Sequence, residues 1–387
     1  MNTDLGAGAV FHSGSHRTPS TDVHTTPLGY DRDALPVGAS LPLPASLDLA
    51  DRLRRCGEVK VAFHGKLGDT LLALSAIRAL TDWAGLQSTP PLVRATGPYA
   101  DLVIRAGLAT ENQTALPDSQ RVVIGDRPGI EAAATGAAAT VVCDPAGPPC
   151  WSADGKAHPD LPARYYLALE RRLGIRLPGT TPFAPTLATR SSSLVEQLQA
   201  AGWFTGLTIA GITATSWPER KDYTADRFTE VAERIAEARR FPAQLLLIGG
   251  QDGDGIRATA AEGPRRFVNV LRLDGVPAAH LVDLFPHCDL VVGNDTGLTH
   301  LAALARRPDG AGPPVVGLYA RHSHSKWRSG RPNHHAVATD LSDRMHQGDL
   351  CPVRDVIIPD PADLHLETLT PATLARLCVD LLDGSGR

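Results

Sequence analysis

The sequence predicts an α/β protein built from two doubly wound, Rossmann-like domains. The chain has 387 residues, which is long enough for two domains of ordinary size. Short apolar runs alternate with helix-like segments, a pattern typical of a parallel sheet with helices on both faces. This alternation occurs twice, starting near Val59 and again near Leu207.

The bulk composition excludes several classes of partner. A net charge of −4 gives no reason to expect nucleic acid or an acidic membrane surface. No apolar run approaches the roughly 18 residues that a membrane-spanning helix needs, and residues 1–20 lack the basic start and apolar core of a secretory signal. The six cysteines have no C-x-x-C spacing, so free thiols are expected rather than a zinc site. We expect a cytoplasmic protein without an integral membrane segment.

The N-terminal part of the chain divides into an extension and a first domain. Residues 1–55 are rich in Gly, Ser, Thr, Pro and Asp, which predicts a flexible extension, with an acceptor-binding arm as the alternative. Residues 56–200 form the first predicted domain. Its strands are predicted in VKVAFH, PLVRAT, RVVIGD and ATVVCD, and a helix is predicted in DTLLALSAIRALTDW.

Residues 201–340 form the second predicted domain, in which strands and helix-like segments alternate more regularly than in the first. Strands are predicted in LTIAGI, AQLLLIGG, RRFVNVL, CDLVVGND and PPVVGLYA. Phe228, Val231, Ala232 and Ile235 follow the i, i+3, i+4, i+7 spacing of one apolar helix face. A helix is also predicted from about Thr296.

Residues 341–387 form a C-terminal segment that ends in a helix. Thr370 and Pro371 make a good helix start. The residues that follow form one apolar stripe, which must dock against another part of the protein: Leu374, Leu377, Cys378, Leu381 and Leu382.

Polar segments follow four of the predicted strands, at residues 64–69, 213–221, 249–252 and 293–300. In doubly wound sheets, ligands bind in the crevice beyond the carboxyl ends of the strands. We therefore expect these segments to converge on one cleft.

The first polar segment contains GKLGD, where two glycines straddle a strand-to-helix turn. It matches neither the Walker A pattern nor G-x-G-x-x-G. Asp69 either caps its helix or presents a carboxylate to the cleft. His64, Lys66 and Gly68 are further candidates on this side of the site.

The second and third segments supply groups suited to a nucleotide. Hydroxyls and cations that fit phosphate oxygens follow LTIAGI, with a solvated turn as the alternative: Thr213, Thr215, Ser216, Arg220 and Lys221. In LLLIGGQDGDG, Gln251 and Asp252 follow a strand, and an acidic residue at such a strand end can bond ribose hydroxyls. Asp254 could take this role instead, or both acids are loop residues.

The fourth segment is VVGNDTGLTHLAAL at residues 291–304, a strand, a tight turn and a helix start. Helix N-termini present unpaired N–H groups and partial positive charge, so they hold phosphates well. We expect Gly293 and Gly297 to let a ligand approach the backbone closely. The alternative is an ordinary turn in which Asn294 or Asp295 caps the helix.

Two of these segments resemble signatures of glycosyltransferase family 9, the heptosyltransferases. The 291–304 segment closely resembles the family's D-T-G-x-x-H signature, and VAFHGKLGDTLLALSAIRAL resembles its N-terminal signature, with Ser75 where proline is usual. The 213–221 segment resembles the pattern Gly-x-x-x-x-x-Lys-x-Trp-Pro-x-x-x-Phe through Lys221 and Phe228. It departs from this pattern at Tyr223 and Thr224.

The resemblance spans about residues 59–319 and implies a fold and an assignment of roles. It implies a GT-B fold: an acceptor-binding first domain and a nucleotide-sugar-binding second domain face a cleft, and the C-terminal helix packs back on the first domain. Asp69 would be the general base. Lys221 would bind phosphate, or Arg220 by a one-residue shift. Asn294 and Asp295 would orient sugar hydroxyls, and the Thr296 and Gly297 amides with His300 would hold phosphate.

The implied reaction is inverting sugar transfer from a nucleotide-diphosphate donor, with ADP-heptose favoured. No D-x-D metal motif stands out in a plausible place, so we expect no metal or other cofactor and expect the protein itself to supply the positive charge. The acceptor is either a lipopolysaccharide core-like glycolipid or a soluble natural product such as an aminoglycoside or nucleoside. The alternatives are a sugar-nucleotide epimerase on the same fold and a non-catalytic sugar-nucleotide-binding protein.

Residues 320–335 depart from the family, which has a Pro-Thr-rich loop here. ARHSHSKWRSGRPNHH is dense in Arg, His and Lys. It is predicted either to close over the diphosphate or meet an anionic acceptor, or to be a solvated basic loop.

Overall fold

The computed structural model describes the parts of the chain that carry most of the predicted elements. These are residues 9–11, 43–55, 57–62, 66–110, 121–125, 139–142, 160–178, 182–216, 218–250, 255–260, 267–320, 322–339, 341–342, 366 and 369–384. The chain divides into two compact units. The N-terminal unit is Pro27–Leu187 with Asp349–Val356, and the C-terminal unit is Met1–Thr26, Ala188–Gly348 and Ile357–Arg387.

The N-terminal unit contains a parallel four-stranded sheet. The first strand of the chain, β1 (Ala9–Phe11), belongs to the C-terminal unit. The elements here are α1 (Leu43–Arg55), β2 (Glu58–Ala62), α2 (Leu67–Ala84), β3 (Leu92–Thr96), α3 (Ala100–Arg105), β4 (Arg121–Gly125), β5 (Ala139–Val142) and α4 (Leu161–Arg172). The strand order is β3-β2-β4-β5 with all neighbours parallel, as the sequence predicts.

Helix α1 was not predicted from the sequence, which assigned residues 1–55 to a flexible extension. The structure corrects this boundary: Leu49, Ala50 and Leu53 are buried, and α1 packs on α4. Leu49 and Leu53 are four residues apart, so they lie on one helix face. This short apolar face was not recognised in the sequence because charged residues surround it and a Gly- and Pro-rich stretch precedes it.

The C-terminal unit contains an eight-stranded sheet. Its elements are β6 (Leu187–Ala188), α5 (Ser193–Ala200), β7 (Leu207–Ile212), α6 (Pro218–Lys221), α7 (Ala225–Arg239), β8 (Ala243–Ile248), β9 (Arg257–Ala260), β10 (Val268–Asp274), α8 (Ala278–Leu284), β11 (Leu290–Asn294), α9 (Gly297–Leu304), β12 (Ala305–Arg306), β13 (Val315–Tyr319), β14 (His334–Thr339) and α10 (Pro371–Gly384). The strand order is β1-β14-β13-β11-β7-β8-β10-β9, and β6 pairs with β12 in a separate two-stranded sheet. The six inner strands of the large sheet are parallel, and the edge strands β1 and β9 are antiparallel to their neighbours.

Two boundaries differ from the sequence prediction. Helix α5 contacts α8 and so belongs to the C-terminal unit, which begins at Ala188 and not at residue 201. His334 and His335 open strand β14 and are not the end of the basic loop. The strand HHAVAT was missed because its first two residues extend a run of polar and basic side chains.

The predicted apolar helix faces pack as expected, but one has a different partner. Phe228, Val231, Ala232 and Ile235 of α7 are all buried in the core. The stripe of α10 joins the same core, and α10 contacts α7. This corrects the prediction that α10 packs back on the N-terminal domain. Its apolar face is used within the C-terminal unit, where Arg239 also forms an ion pair with Asp383.

Candidate functional site

The C-terminal sheet has its topological switch point between β7 and β11. From β7 the chain adds β8 and β10 on one side, then returns to place β11 and β13 on the other. Ligands of doubly wound sheets bind in the crevice that this reversal opens at the carboxyl ends of the strands. Thr213 follows β7 there and Asp295 follows β11, so the switch point brings together two of the predicted segments.

Gly293 has a packing role and not the predicted role of admitting a ligand. A Cβ atom at this position would lie 2.4 Å from Thr299 Oγ1 and 2.9 Å from Ile212 Cβ. The space is therefore filled by the first turn of α9 and by β7. The Thr299 hydroxyl donates a hydrogen bond of 2.6 Å to the Asn294 carbonyl, which fixes the helix start against the strand end.

The N-terminus of α9 leaves one N–H group open. Thr296 is the N-cap: its Oγ1 accepts from the Leu298 N–H at 3.2 Å, and its carbonyl accepts from the Thr299 and His300 N–H groups. Within the described residues, the Gly297 N–H has no hydrogen-bond partner, and Gly297 is half-buried. The helix therefore presents one donor and the positive end of its dipole.

Asn294, which is predicted to orient sugar hydroxyls, is hydrogen-bonded to other parts of the chain through both ends of its amide. It is 0% exposed. Its Oδ1 accepts from the Tyr223 N–H at 2.9 Å, and its Nδ2 donates to the Thr213 carbonyl at 3.2 Å. Both ends of the amide are used, so Asn294 ties β11 to the segment that carries Lys221.

Asp295 is the centre of a buried charged cluster. The Lys221 ammonium donates to Asp295 Oδ2 at 2.8 Å, and His322 Nδ1 lies 2.8 Å from the same oxygen. His322 Nδ1 also lies 2.9 Å from Lys221 Nζ. One ring nitrogen cannot donate to the carboxylate and accept from the ammonium at once. One of the three contacts is therefore unfavourable in either state of His322.

Opposite charges determine the ionisation of Asp295. Burial pushes the pKa of this carboxyl upward, but Lys221 and His322 outweigh burial and hold the pKa well below its usual range. Asp295 is thus an anion whose neighbours keep it charged.

His300 is neutral in the folded protein. It is 3% exposed, and among the described residues its Nδ1 has no hydrogen-bond partner. Burial lowers the pKa of His300 to about 4, against the opposing effect of Asp295. A neutral imidazole with an unused nitrogen can donate or accept a hydrogen bond to a ligand.

We expect the free energy of unfolding to decrease as the pH falls from about 6.5 to 4. The unfolded chain protonates His300 at its ordinary pKa of about 6.5, whereas the folded chain does so only near the lowered pKa of about 4. The stabilisation is therefore complete above 6.5 and is lost towards 4, by up to about 3 kcal/mol for His300 alone. Burial also lowers the pKa values of His334 and His335, which act in the same direction.

Urea unfolding at a series of pH values between 7 and 4 measures this dependence. His300→Gln should show a shallower decrease than the wild type. Identical slopes for the two proteins would contradict the assignment of a buried neutral His300.

Three further predicted donor-side residues, Thr213, Thr215 and Ser216, follow the end of β7. The Thr213 hydroxyl donates to the Ile248 carbonyl at 3.1 Å, Thr215 is half-buried, and Ser216 is exposed. The backbone of Arg220 lies in α6, and its side chain is outside the described part of the structure. Gln251, Asp252 and Asp254 lie outside the described residues.

The predicted residues of the N-terminal unit surround the start of α2. Lys66 is the exposed N-cap, and Gly68 and Asp69 are half-buried in the first turn. Asp69 is the third helical residue, so it is not the N-cap. His64 lies outside the described residues. In the regions the structure covers, no group of three or more His, Cys, Asp and Glu side chains could hold a metal ion.

Sequence reasoning missed His322 and the burial of the loop that carries it. Ser323, His324, Ser325, Lys326, Arg328 and Ser329 are all buried, which corrects the alternative of a solvated basic loop. Gly317 makes room for this arrangement: a Cβ there would lie 2.9 Å from the Tyr319 ring and 3.0 Å from His334 Nε2. A glycine in the middle of a buried strand was the available signal.

A doubly wound sheet with a buried lysine and an open helix N-terminus at its switch point is typical of α/β proteins that bind nucleotides. Residues 163–356 match glycosyltransferase family 9 (heptosyltransferase), and the chain belongs to this family. It is a glycosyltransferase of the GT-B fold class, as the sequence predicts.

Solved structures support the fold. Escherichia coli ADP-heptose LPS heptosyltransferase II matches with a TM-score of 0.54 and 15% identity, over 85% of this chain and all of that one. E. coli heptosyltransferase WaaC with ADP matches with a TM-score of 0.51 and 13% identity, over 83% of this chain and 98% of that one. No curated protein sequence matches the chain. Among the described residues, no helix is long and apolar enough to cross a membrane.

Proposed function

We propose that this protein transfers a sugar from a nucleotide-diphosphate donor to a hydroxyl acceptor with inversion and without a metal. The favoured donor is ADP-heptose. The observation that carries the proposal is the switch point of the C-terminal sheet, where the open Gly297 N–H, the buried Lys221 and the neutral His300 lie together. These are the groups that a diphosphate requires.

The charged cluster supports a phosphate ligand at this position. His322 and Lys221 compete for Asp295, and one of the three contacts is unfavourable. A phosphate oxygen bound to the Lys221 ammonium relieves this conflict. The lysine also supplies positive charge as the leaving diphosphate gains negative charge, a task that a metal ion performs in other enzymes.

Asp69 is the proposed general base. The acceptor hydroxyl gives its proton to the Asp69 carboxylate as its oxygen attacks the anomeric carbon. The bond from that carbon to the diphosphate oxygen breaks, and its electron pair stays on the diphosphate. Attack from the face opposite the leaving group inverts the anomeric configuration.

The donor and acceptor are proposed by family and by the names of the similar proteins. The family is that of heptosyltransferases. The similar E. coli heptosyltransferase II is named for ADP-heptose and LPS. The acceptor is an LPS core-like glycolipid or a soluble natural product such as an aminoglycoside or nucleoside.

A thermal-shift panel of ADP-, GDP-, UDP- and dTDP-sugars tests the donor. We expect ADP-heptose to raise the melting temperature most, because ligand binding to the folded state stabilises it. Indifference to all four nucleotide sugars would contradict the proposal.

Proton NMR of the donor then tests the reaction. With an acceptor present, we expect ADP release and a glycoside of inverted anomeric configuration. Conversion of the donor to its epimer without acceptor would instead identify an epimerase. Binding without turnover in any acceptor mixture would indicate a sugar-nucleotide-binding protein.

A further inference from the structure

Arg328 carries a buried charge that has not been assigned a role in the donor site. The residue is 6% exposed, and within the described residues its Nε and Nη1 atoms have no hydrogen-bond partner. A guanidinium stays protonated in proteins. Burying it without a partner is costly, and buried polar groups are normally paired. This arrangement therefore needs an explanation.

Two buried histidines, His334 and His335, lie within the electrostatic influence of Arg328. The Arg328 charge lowers the pKa values of His334 and His335, in addition to the effect of their burial, so these rings are neutral. Asp295 is the nearby carboxylate that also influences His334, and it is already bonded by Lys221. Arg328 is thus a buried cation with no hydrogen-bonded carboxylate among the described residues, which suits an additional anion.

The loop that carries Arg328 is held in a fixed conformation. The Ser329 N–H donates to His334 Nδ1 at 3.2 Å, so the proton of the neutral ring is on Nε2. His334 Nε2 lies 3.4 Å from Tyr319 Oη, which in turn donates to the Trp327 carbonyl at 3.4 Å. A chain of hydrogen bonds therefore runs from Ser329 to Trp327 on either side of Arg328.

The same loop also contacts the Asp295 cluster. The Trp327 ring lies 5.5 Å from the ring of His322, measured between centroids. His322 bonds Asp295. Arg328 is thus carried by a preorganised segment next to the proposed phosphate site, and preorganisation reduces the entropic cost of binding.

We propose that Arg328 binds an oxyanion, a phosphate-type group that its planar guanidinium contacts through two N–H donors. The proposal rests on the proposed function, because Arg328 is a second cation, in addition to Lys221, in the unit that is proposed to bind the donor. The oxyanion comes either from the diphosphate of the donor or from an anionic group of the acceptor. Both have the same chemistry at the guanidinium.

Calorimetric titration of ADP and of inorganic pyrophosphate into Arg328→Met tests the proposal. If the donor's diphosphate is the oxyanion, we expect affinity for both to fall by about 10- to 100-fold, because a charge-assisted bidentate contact contributes about 1.5–3 kcal/mol. Arg328→Lys keeps the positive charge but not the two parallel N–H donors of the guanidinium, so it should lose less affinity than Arg328→Met. Arg234→Met is the matched control: Arg234 is an exposed arginine of the same unit, paired with Glu230, and its loss should leave affinity unchanged.

Stability separates a binding role from a structural one. If Arg328 awaits a ligand, unliganded Arg328→Met is at least as stable as the wild type, because an uncompensated buried charge is removed. A large loss of stability with unchanged oxyanion affinity in both Arg328 variants would overturn the proposal.

Titration of inorganic phosphate into the ADP-saturated protein distinguishes the two sources. If the acceptor supplies the oxyanion, phosphate binds the wild type and not Arg328→Met, while ADP affinity is unchanged. If the donor supplies it, ADP affinity itself falls. Failure of the proposed function has a different signature, namely a wild-type protein that binds no nucleotide diphosphate or nucleotide sugar.

Discussion

Asp69→Asn is expected to reduce sugar transfer by about 10²- to 10⁴-fold and to leave donor affinity unchanged. The range is that of a positioned general base, and an amide of the same shape cannot accept the acceptor's proton. The donor groups Lys221, Gly297 and His300 belong to the C-terminal unit, so the change leaves them in place. Initial rates with ADP-heptose, and separate titration of ADP, measure the two effects.

Asp101→Asn is the matched control for this prediction. Asp101 also lies in the first turn of a helix of the N-terminal unit, α3, where it forms an ion pair with Arg105. Both variants lose a negative charge near a helix N-terminus, worth about 0.3–1 kcal/mol. Asp101→Asn should keep near wild-type activity. Equal activities of the two variants would show that Asp69 is not the general base.

Lys221→Met is expected to weaken both donor binding and folding. The lysine is the buried cation at the switch point, so we expect at least a tenfold loss of ADP affinity from a charge-assisted contact worth about 1.5–3 kcal/mol. Its loss also leaves the Asp295 carboxylate buried with one partner fewer. Removing one member of a buried ion pair typically costs about 3–5 kcal/mol. Urea unfolding measures this second effect.

The double variant Lys221→Met/Asp295→Asn separates the two effects. The second substitution neutralises the carboxylate that the first leaves uncompensated, so most of the stability should return. The ADP affinity should remain low, because the phosphate has lost its cation. Recovery of affinity together with stability would mean that Lys221 acts only as the counter-ion of Asp295.

The sequence predicts this fold well because its main signals are local. The apolar face of α7, with Phe228, Val231, Ala232 and Ile235, is readable from periodicity and is buried as predicted. The sequence signals that predict the strand ends before Thr213 and Asp295 are equally local. The parallel sheet brings these two strand ends together at the switch point. Two of the predicted donor segments are neighbours for this reason.

Roles that depend on tertiary contacts could not be predicted. A sequence cannot show that the Asn294 amide is used at both ends by distant backbone groups, or that Gly293 makes room for Thr299. The basic loop resembles a solvated segment because its charges are dense, and only the fold shows that Arg328 is buried. Periodicity predicts the apolar face of α10 but not which core this face joins.

The central claim is that the open N-terminus of α9 binds the donor's diphosphate. The most direct test monitors the amide resonance of Gly297 by ¹⁵N NMR while glycine-labelled protein is titrated with ADP. The resonance is assigned by its loss in Gly297→Ala. We predict that this amide proton moves downfield as it donates to a phosphate oxygen, with the same apparent affinity that calorimetry gives for ADP. A Gly297 amide that stays unchanged while ADP saturates the protein would contradict the claim.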